Sequence, residues 1–524
     1  MITRLLESRS RLWWIAAALW LFMTAGIRPL MLPDEGRYVG VAWEMLSQHQ
    51  WLVPTLDGMP FFHKPPLFYW LTMLGLQVFG MHEWAARLAS WSSAWLAAVV
   101  MVLFLRKHAN VWLSNLAMVL IVTTPFFYIG AQFANLDMLV ASMISLTILF
   151  GADAVMRMDR EQPHRRALAL AYVFAALGLL AKGLIGVALP GAVLLVWMLL
   201  GRKYRLIGRM FPLPMLALFA ALAVPWFAWM QHLYSGFWDY FFVYHHFKRF
   251  AQGGFNNQQP FWFYVPVLVV LALPWSLTSW RALKPTFYQQ TETQEVRRLM
   301  LVWLIVVLAF FSMPKSKLIG YILPTLVPFV VLLASSLQEH SSRQADPGSY
   351  LRRMAWTALG AALLCVGLVI GLSFKGHSDI HGMPRNIRQS FGPQDQLIML
   401  ERYAYDLPFY LHAQRSAWVV NNWNEPHIPM VDNWQKELYD AGLFEPGTMQ
   451  HNLINTPSLM QRLCTPPVHT LWFWGPNDAG TQMPWLQSED EVYSTQGHHL
   501  WRITPQRWPS LRPLMSCGEK PNNG

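Results

Sequence analysis

Long apolar runs recur along the first 375 residues of this 524-residue chain, and they constrain its fold more than any other feature. A run of about 18 or more apolar residues is long enough to cross the hydrocarbon core of a bilayer as a helix. Charged residues make up only 13% of the chain, whereas hydrophobic residues make up 54%. The sequence therefore predicts an α-helical polytopic membrane protein.

Eleven apolar segments are predicted to span a membrane. They are residues 12–30, 84–106, 111–130, 134–156, 166–181, 183–201, 210–230, 261–280, 299–314, 318–337 and 354–374. The stretch 61–80 is also apolar and predicts either an interfacial helix or a short re-entrant pair, so we expect about 11–13 membrane helices. The first run lacks a small-residue cleavage site, so we expect no cleaved signal peptide.

The lysines and arginines of the loops indicate how the chain is oriented. Twenty of them fall in loops on the side that holds the N-terminus, and nine fall on the opposite side. Because short cytoplasmic loops are enriched in Lys and Arg, we expect the N-terminal side to be cytoplasmic. This bias also accounts for the net charge of +11, so we expect no nucleic-acid partner. An odd number of spans would place residues 375–524 outside the cytoplasm.

Residues 375–524 are more polar than the rest of the chain and predict a small α/β domain. Short β-like runs at 396–400, 417–420 and 470–474 are separated by helical and turn-rich stretches. The expected domains are therefore 1–374, with its outer loop 31–83, and 375–524. The Trp and Pro content of the second domain is compatible with a glycan contact or with packing alone.

The three cysteines give limited information about the compartment. Cys365 lies within a predicted span, where we expect it to pack. Cys464 and Cys517 lie in the C-terminal domain, and a disulfide between them is possible if that domain is extracytoplasmic. The sequence leaves this pairing open.

Polar residues interrupt the apolar pattern mainly on the side opposite the cytoplasm. The segments are Asp34-Glu35-Gly36-Arg37-Tyr38, Phe62-His63-Lys64-Pro65-Pro66, Asn135-Leu136-Asp137, Tyr244-His245-His246-Phe247-Lys248-Arg249-Phe250 and Pro314-Lys315-Ser316-Lys317-Leu318-Ile319-Gly320-Tyr321. Each has an ordinary alternative, since Asp137 could cap a helix and the lysines could reach lipid head groups. Together, carboxylates and cations on one face favour a lipid-phosphate-linked substrate.

Taken in order along the chain, these motifs and Ala181-Lys182-Gly183 resemble those of the bacterial lipid A aminoarabinose transferases. That family belongs to the GT-C superfamily, which also includes the protein O-mannosyltransferases. The resemblance covers about residues 10–340 and extends to the C-terminal domain only in outline. It implies a GT-C membrane domain followed by a small periplasmic α/β domain.

The resemblance also implies an activity. A glycosyltransferase of this kind moves 4-amino-4-deoxy-L-arabinose, or a similar sugar, from an undecaprenyl phosphate donor to a lipid A phosphate or related glycolipid. The reaction would take place at the periplasmic face of the bacterial inner membrane, and we expect a monomer. Asp34 and Asp137 correspond to the catalytic carboxylates. The substrate-binding residues would be Glu35, Arg37, Tyr38, Lys64, Arg249, Lys315, Lys317 and Tyr321.

A metal is less clearly implied by the resemblance. Family members usually carry Glu before the Lys-Pro pair, and that acid helps to bind a divalent ion together with a histidine of the later loop. This chain has His63 at that position. A cluster of His63, His245 and His246 would suit zinc, because imidazole is a common zinc ligand.

Two questions remain open at the level of sequence. If the acceptor is a hydroxyl, Asp34 would act as a general base, whereas a phosphate acceptor needs no base and Asp34 would steady charge or orient the sugar. A protein O-mannosyltransferase-like enzyme with a Ser/Thr acceptor is the second candidate. A transporter or a non-enzymatic assembly factor is disfavoured, since the charges cluster at the outer ends of spans and no internal repeat is evident.

Overall fold

The computed structural model describes residues 12–248, 257–278, 280–289, 293–374, 380–495, 497–515 and 517. They form two compact units. The membrane unit comprises Met1–Arg28 and His63–Lys375, and the α/β unit comprises Pro29–Phe62 and Gly376–Gly524. Residues 29–62 therefore group with the C-terminal domain, whereas the sequence-based division placed them with the membrane domain.

Apart from loops and an isolated β-bridge between Gln258 and Ser316, the described residues of the membrane unit are helical. Its α-helices are α1 (Leu12–Phe22), α3 (Leu67–Phe79), α4 (Glu83–Ala86), α5 (Leu88–His108), α6 (Val111–Val122), α7 (Pro125–Ala131), α8 (Leu136–Asp159), α9 (Arg165–Lys182), α10 (Ile185–Leu200), α11 (Tyr204–Ile207), α12 (Leu213–Leu233), α13 (Tyr264–Leu271), α14 (Gln294–Ser312), α15 (Leu326–Ser341) and α16 (Pro347–Ser373). A π-helical segment covers Asp239–Lys248, and a 3₁₀ segment, Ile319–Thr325, leads into α15.

Each of the eleven predicted spans contains a helix, but the helices differ in length. In the described residues, five are long and apolar enough to cross a membrane: α5, α8, α12, α16 and the continuous segment Ile319–Ser341. The pair α6 and α7 forms a sixth if it is counted as one bent span. The apolar helices α1, α3 and α10 are shorter. The prediction of a polytopic helical membrane protein is confirmed.

The bend between α6 and α7 has a local cause. The two helices meet at 65° across Thr123 and Thr124. Pro125 has no N–H to continue the helix and disfavours the α conformation in the residue before it. Hydroxyl groups compensate, because Thr124 Oγ1 donates to the Leu120 carbonyl (2.7 Å). Cys365 is fully buried beside this bend, with Sγ 3.5 Å from the Thr123 carbonyl, so its packing role is confirmed.

The helices of the membrane unit divide into an inner and an outer set. Helix α8 packs against α5, α9 and α10, and 89% of its most apolar stretch is buried. In α12 and α16 the buried share of the most apolar stretch is only 22% and 17%, although both helices are strongly apolar. Exposed apolar surface of this extent on long helices is suited to lipid contact.

The α/β unit is built on one six-stranded sheet. Its strands are β3 (Gln396–Leu400), β4 (Trp418–Val420), β5 (Leu453–Ile454), β6 (Leu471–Pro476), β7 (Glu491–Ser494) and β8 (His498–Ile503), in the spatial order β5-β4-β3-β6-β8-β7. The first four in that order are parallel, and β8 and β7 are antiparallel to their neighbours. Strand β3 is buried at every residue, as is usual for a central parallel strand covered on both faces. This confirms the predicted small α/β domain.

Short helices connect the strands of this sheet. They are α17 (Arg385–Ser390), α18 (Leu407–Leu411), α19 (Trp434–Gly442), α20 (Pro446–Asn452), α21 (Thr456–Leu463), α22 (Ala479–Gln482) and α23 (Trp508–Leu511). One hydrophobic core includes Ile398, Phe473, Trp485 and Trp501. Cys464, which follows α21, forms a disulfide with Cys517, and this answers the question that the sequence left open.

Residues 29–62 form an integral part of the α/β unit. They contain α2 (Asp34–Ser47) and a hairpin of β1 (Thr55–Leu56) and β2 (Met59–Pro60). Asp57, at the hairpin turn, accepts a hydrogen bond from the Ala417 N–H (2.7 Å), and its carbonyl accepts one from Asn452 Nδ2 (2.7 Å). Trp43 Nε1 donates to the Ala413 carbonyl at 2.8 Å.

Candidate functional site

Asp137 lies in the first turn of α8, in an ion pair with the last residue of α9. Asn135 caps α8 by accepting the Asp137 N–H at 3.1 Å. Lys182 Nζ is 2.6 Å from Asp137 Oδ1, and each side chain is only 17% exposed. Because α9 ends at Lys182, its charge also complements the C-terminal dipole of that helix. A largely buried ion pair in a membrane protein is costly and is usually retained for function.

Two further residues complete this cluster from the 3₁₀ segment. The ring of Tyr321 lies under the Lys182 ammonium, 4.5 Å from Nζ to the ring centroid, which is cation–π geometry. Gly320 lies so close to Asp137 that a Cβ there would overlap the carboxylate. The same four residues line a narrow pocket together with apolar side chains such as Val140. We call Asp137, Lys182, Gly320 and Tyr321 the Asp137 cluster.

Asp34 lies at the start of α2 in the α/β unit and is held by Arg37. The Arg37 guanidinium donates to Asp34 Oδ1 at 2.8 Å, and it also donates to Glu437 on α19. The Tyr405 hydroxyl donates to the other oxygen of Glu437. The Asp34 side chain is 53% exposed, whereas Arg37 and Glu437 are 17% and 10% exposed. The series of hydrogen bonds from Tyr405 through Glu437 to Arg37 therefore ends at the accessible carboxylate of Asp34.

The charges around Arg37 affect its ionisation. Burial alone would lower the pKa of Arg37, but the nearby Glu437 carboxylate and, to a smaller extent, Tyr38, Tyr405 and Asp34 raise it well above its ordinary value. The guanidinium therefore stays charged at any physiological pH. It is a permanent cation beside Asp34.

Glu35 and Tyr38 occupy buried positions on the same helix. Glu35 is fully buried, and its Oε2 accepts the Met31 N–H at 2.8 Å. Tyr38 is 8% exposed, and its ring centroid is 5.2 Å from the Arg37 guanidinium carbon. Both were predicted to bind substrate, and in this structure both make contacts within the α/β unit.

The predicted lysines differ in exposure. Lys317 is only 3% exposed, and its ammonium donates to the carbonyls of Gln259 (2.9 Å) and Pro314, so it joins two loops. Lys315 is exposed, and Lys64 is partly exposed. Lys315 is therefore the more accessible of the two neighbouring lysines.

The histidine cluster is only partly within the described structure. The ring of His63 lies 6.1 Å from that of Tyr240, centroid to centroid. The side chains of His245 and His246 lie outside the description, as does Arg249. Among the described residues, no three His, Cys, Asp or Glu side chains come together as a metal site. The zinc site and the role of Arg249 therefore stay predictions.

Four residues of these clusters were not among the predicted site residues: Lys182, Gly320, Tyr405 and Glu437. Lys182 carried a usable signal, because it is a lone lysine between two closely spaced spans on the side where cations are scarce. Gly320 belongs to a motif that was noted without a role. Glu437 and Tyr405 lie 400 and 368 positions from Arg37 in the sequence. The residues around Arg37 therefore give no local signal for either partner.

Comparison with known proteins shows which families the chain is similar to. Residues 63–229 match the family model described as dolichyl-phosphate-mannose-protein mannosyltransferase. Among curated relatives, an undecaprenyl phosphate-α-4-amino-4-deoxy-L-arabinose arabinosyl transferase from Pseudomonas savastanoi pv. phaseolicola is 34% identical over 318 residues, 60% of this chain and 58% of that protein. The enzyme of the same name from Pseudomonas aeruginosa (strain UCBPP-PA14) is 31% identical over 373 residues, 69% of this chain and 65% of that protein.

A solved structure shares the fold over nearly the whole chain. ArnT from Cupriavidus metallidurans, bound to undecaprenyl phosphate, superposes with a TM-score of 0.78 at 21% identity and covers 94% of this chain and 97% of its own. The match to the curated relatives is shorter and spans 58–65% of the length of the two described above. The chain is therefore similar to the undecaprenyl phosphate-aminoarabinose arabinosyl transferases, as its motifs indicated, and it shares the fold of ArnT.

Proposed function

We propose that this protein is an inner-membrane glycosyltransferase that moves 4-amino-4-deoxy-L-arabinose, or a closely similar sugar, from undecaprenyl phosphate to a lipid A phosphate at the periplasmic face. The observation that carries this proposal is the similarity to relatives named for the undecaprenyl phosphate-linked aminoarabinose donor, at 31% identity over 373 residues in one case. That aligned length is 69% of the chain.

The reaction exchanges one bond at the anomeric carbon of the sugar. The bond to the donor phosphate oxygen breaks, the polyprenyl phosphate leaves with the electron pair, and an acceptor oxygen forms a new bond to that carbon. Cations close to the leaving phosphate lower the barrier, because they offset the charge that develops on it. Lys64, Arg249 and Tyr321 are the proposed phosphate-binding residues. Lys182, oriented by its ion pair with Asp137, adds a cation next to Tyr321.

Asp34 has the exposure and the fixed orientation that a carboxylate needs to meet a substrate. Arg37 holds one of its oxygens at 2.8 Å, while 53% of the side chain is exposed. With a lipid A phosphate as acceptor, the nucleophile is already an anion and no base is required. Asp34 would then stabilise positive charge that develops on the sugar or bind its amino group.

Mass spectrometry of lipid A tests the proposal. We expect lipid A from cells that express the protein to gain the mass of an aminoarabinose unit, and cells without it to lack that mass. Asp34→Asn and Asp137→Asn should each reduce the modified fraction at least about 100-fold, in the range seen when a group that stabilises transition-state charge is removed. Glu161→Gln, which changes an exposed carboxylate in a loop between α8 and α9, is the matched control and should retain full activity.

Unmodified lipid A in cells with verified expression would contradict the lipid A assignment. Full activity of Asp34→Asn would contradict the role of that residue. Equal protein levels in the membrane fraction are required for each comparison.

A second function is favoured by one observation. Residues 63–229 match a family described by transfer of mannose to proteins from dolichyl phosphate. In that case the acceptor is a Ser or Thr hydroxyl, and Asp34 would remove its proton as the new bond forms. Glycopeptide analysis of membrane and secreted proteins from the same cells distinguishes the two functions, since only this one predicts hexose on Ser or Thr.

A further inference from the structure

A second candidate binding site lies in the α/β unit, in a pocket at the carboxyl ends of the parallel strands β4 and β5. Trp423 and Asn424 follow β4, whereas Asn455, Ser458 and Arg462 follow β5. The pocket is open to solvent and has a cavity volume of about 190 Å³.

Trp423 gives the pocket a fixed aromatic wall. Its Nε1 donates to the Val419 carbonyl at 3.0 Å, and its ring meets that of Trp434 edge to face with centroids 5.8 Å apart. Because these two contacts use the N–H and hold the ring, the indole offers the pocket an apolar surface in one orientation.

Three uncharged polar side chains of the pocket have unused hydrogen-bonding capacity. Within the described part of the chain, the side chains of Asn424, Gln450 and Ser458 make no hydrogen bond. Two carboxamides and a hydroxyl supply both donors and acceptors. Asn455 is different, because its side chain already accepts the Ser458 N–H at 2.9 Å.

Arg462, the one charged residue that lines the pocket, is partly engaged elsewhere. Arg462 donates to the His451 carbonyl at 2.8 Å, and its guanidinium carbon lies 4.7 Å from the centre of the Trp418 ring. The pocket-lining residues include no carboxylate, which argues against a cationic ligand. A ligand with several hydroxyl groups and one apolar face fits this combination best.

We propose that this pocket binds a saccharide. One face of a sugar ring packs on Trp423, and its hydroxyls exchange hydrogen bonds with Asn424, Gln450 and Ser458. The inference does not depend on which sugar is transferred or on which acceptor receives it. It gives the α/β unit a glycan-binding role in addition to packing.

Saturation-transfer NMR on the purified full-length chain in lipid nanodiscs tests this proposal. The probes are a β-1,6-linked N-acetylglucosamine disaccharide and maltotriose, both uncharged and each at millimolar concentration, and glycerol serves as a hydroxylated compound without a ring. We expect saturation transfer to the ring protons of at least one sugar and none to glycerol. Trp423→Ala and Gln450→Ala should each reduce the signal at least fivefold.

Trp51→Ala is the matched control, because Trp51 is a 40% exposed tryptophan of the same unit outside the pocket. Its signal should equal that of the unmodified chain. Gln450 is exposed, so its truncation preserves the fold even if Trp423→Ala disturbs it locally. No transfer to either sugar would overturn the proposal, and so would a signal that Gln450→Ala and Asn424→Ala both leave unchanged. Lipid A from cells that express the same variants is analysed in parallel, so that a loss of saccharide binding is distinguished from a loss of sugar transfer.

Discussion

Gly320 shows how a single residue sets the geometry of the Asp137 cluster. A Cβ at this position would overlap Oδ2 of Asp137 and lie only 3.1 Å from its Cγ. The carboxylate would therefore have to move away, and its ion pair with Lys182 would move with it.

We predict that Gly320→Ala lowers sugar transfer by about 10–100-fold, because a displacement of about 1 Å in a reacting site has effects of this size. Quantitative mass spectrometry of lipid A, normalised to the amount of protein in the membrane, measures it. Gly191→Ala in α10 is the matched control, since nothing lies within 4 Å of a Cβ there. Activity of Gly320→Ala equal to that of the control would contradict the importance of this contact.

Asp57 is a second residue whose environment leads to a clear expectation. Its Oδ1 accepts the Ala417 N–H, whereas its Oδ2 is buried and makes no hydrogen bond within the described residues. Burial, and then the charge of nearby Glu44, raise the pKa of Asp57 well above its ordinary value. A carboxyl with a raised pKa in the folded state destabilises the fold once the pH exceeds its unfolded pKa of about 3.9.

We therefore predict that Asp57→Asn stabilises the protein at pH 7 by about 1–3 kcal/mol, because the neutral amide removes a buried charge and its repulsion by Glu44, and each pKa unit corresponds to about 1.4 kcal/mol. Asn keeps the acceptor for Ala417 and tolerates the φ of 54° at this position. Thermal unfolding of the purified chain measures the effect, which should shrink as the pH falls towards 4. Stability of Asp57→Asn equal to or lower than that of the unmodified protein at pH 7 would contradict this explanation. Glu161→Gln is the control and should change the stability neither at pH 7 nor near pH 4.

At the scale of elements, α2 and α19 are joined within the α/β unit by the pairing of Arg37 with Glu437. Glu437 does not reach Asp34 itself, so it acts as a positioning residue through Arg37. The Tyr405 hydroxyl fixes Glu437 from the other side.

We predict that Glu437→Ala reduces sugar transfer about tenfold, since Arg37 loses one of its two carboxylate partners and holds Asp34 less firmly. Glu437→Gln should recover most of the activity, because its amide oxygen still accepts from Arg37. A purely electrostatic role would instead make the two variants equally defective. The lipid A assay measures both, with Glu445→Ala at an exposed position as the control.

The sequence predicted which elements exist more reliably than where they break. Each predicted span contains a helix, since apolar length alone specifies a membrane helix. The bend at Thr123 and Thr124 was predictable from Pro125 only as a possible helix boundary. The end of α13 at Leu271, inside the predicted span 261–280, had a similar signal in Pro274, three residues further along the chain.

At the scale of the whole molecule, the membrane class and the α/β domain were predictable, but the assignment of residues 29–62 was not. Their place in the α/β unit depends on pairings such as that of Asp57 with Ala417, which are 360 positions apart. Local patterns carry no information about contacts of this range. Asp34 was found because a charged motif beside an apolar helix is unusual. Glu437, the partner of Arg37, was missed because the two residues are 400 positions apart.

The orientation of the chain is still a prediction, and its cysteines allow a direct test. Cys365 is fully buried, and Cys464 and Cys517 form a disulfide, so the unmodified protein should not react with a thiol reagent. Gln162→Cys and Met430→Cys each add one exposed thiol, the first in the loop between α8 and α9 and the second in the α/β unit.

We predict that a membrane-impermeant maleimide labels Met430→Cys in intact spheroplasts at least about tenfold more than Gln162→Cys, because the excess of Lys and Arg places the loop of Gln162 in the cytoplasm. Both variants should be labelled equally after the membrane is permeabilised, which controls for thiol reactivity. Preferential labelling of Gln162→Cys in intact spheroplasts would reverse the orientation. It would also place Asp34's unit on the cytoplasmic side and so contradict a reaction at the periplasmic face.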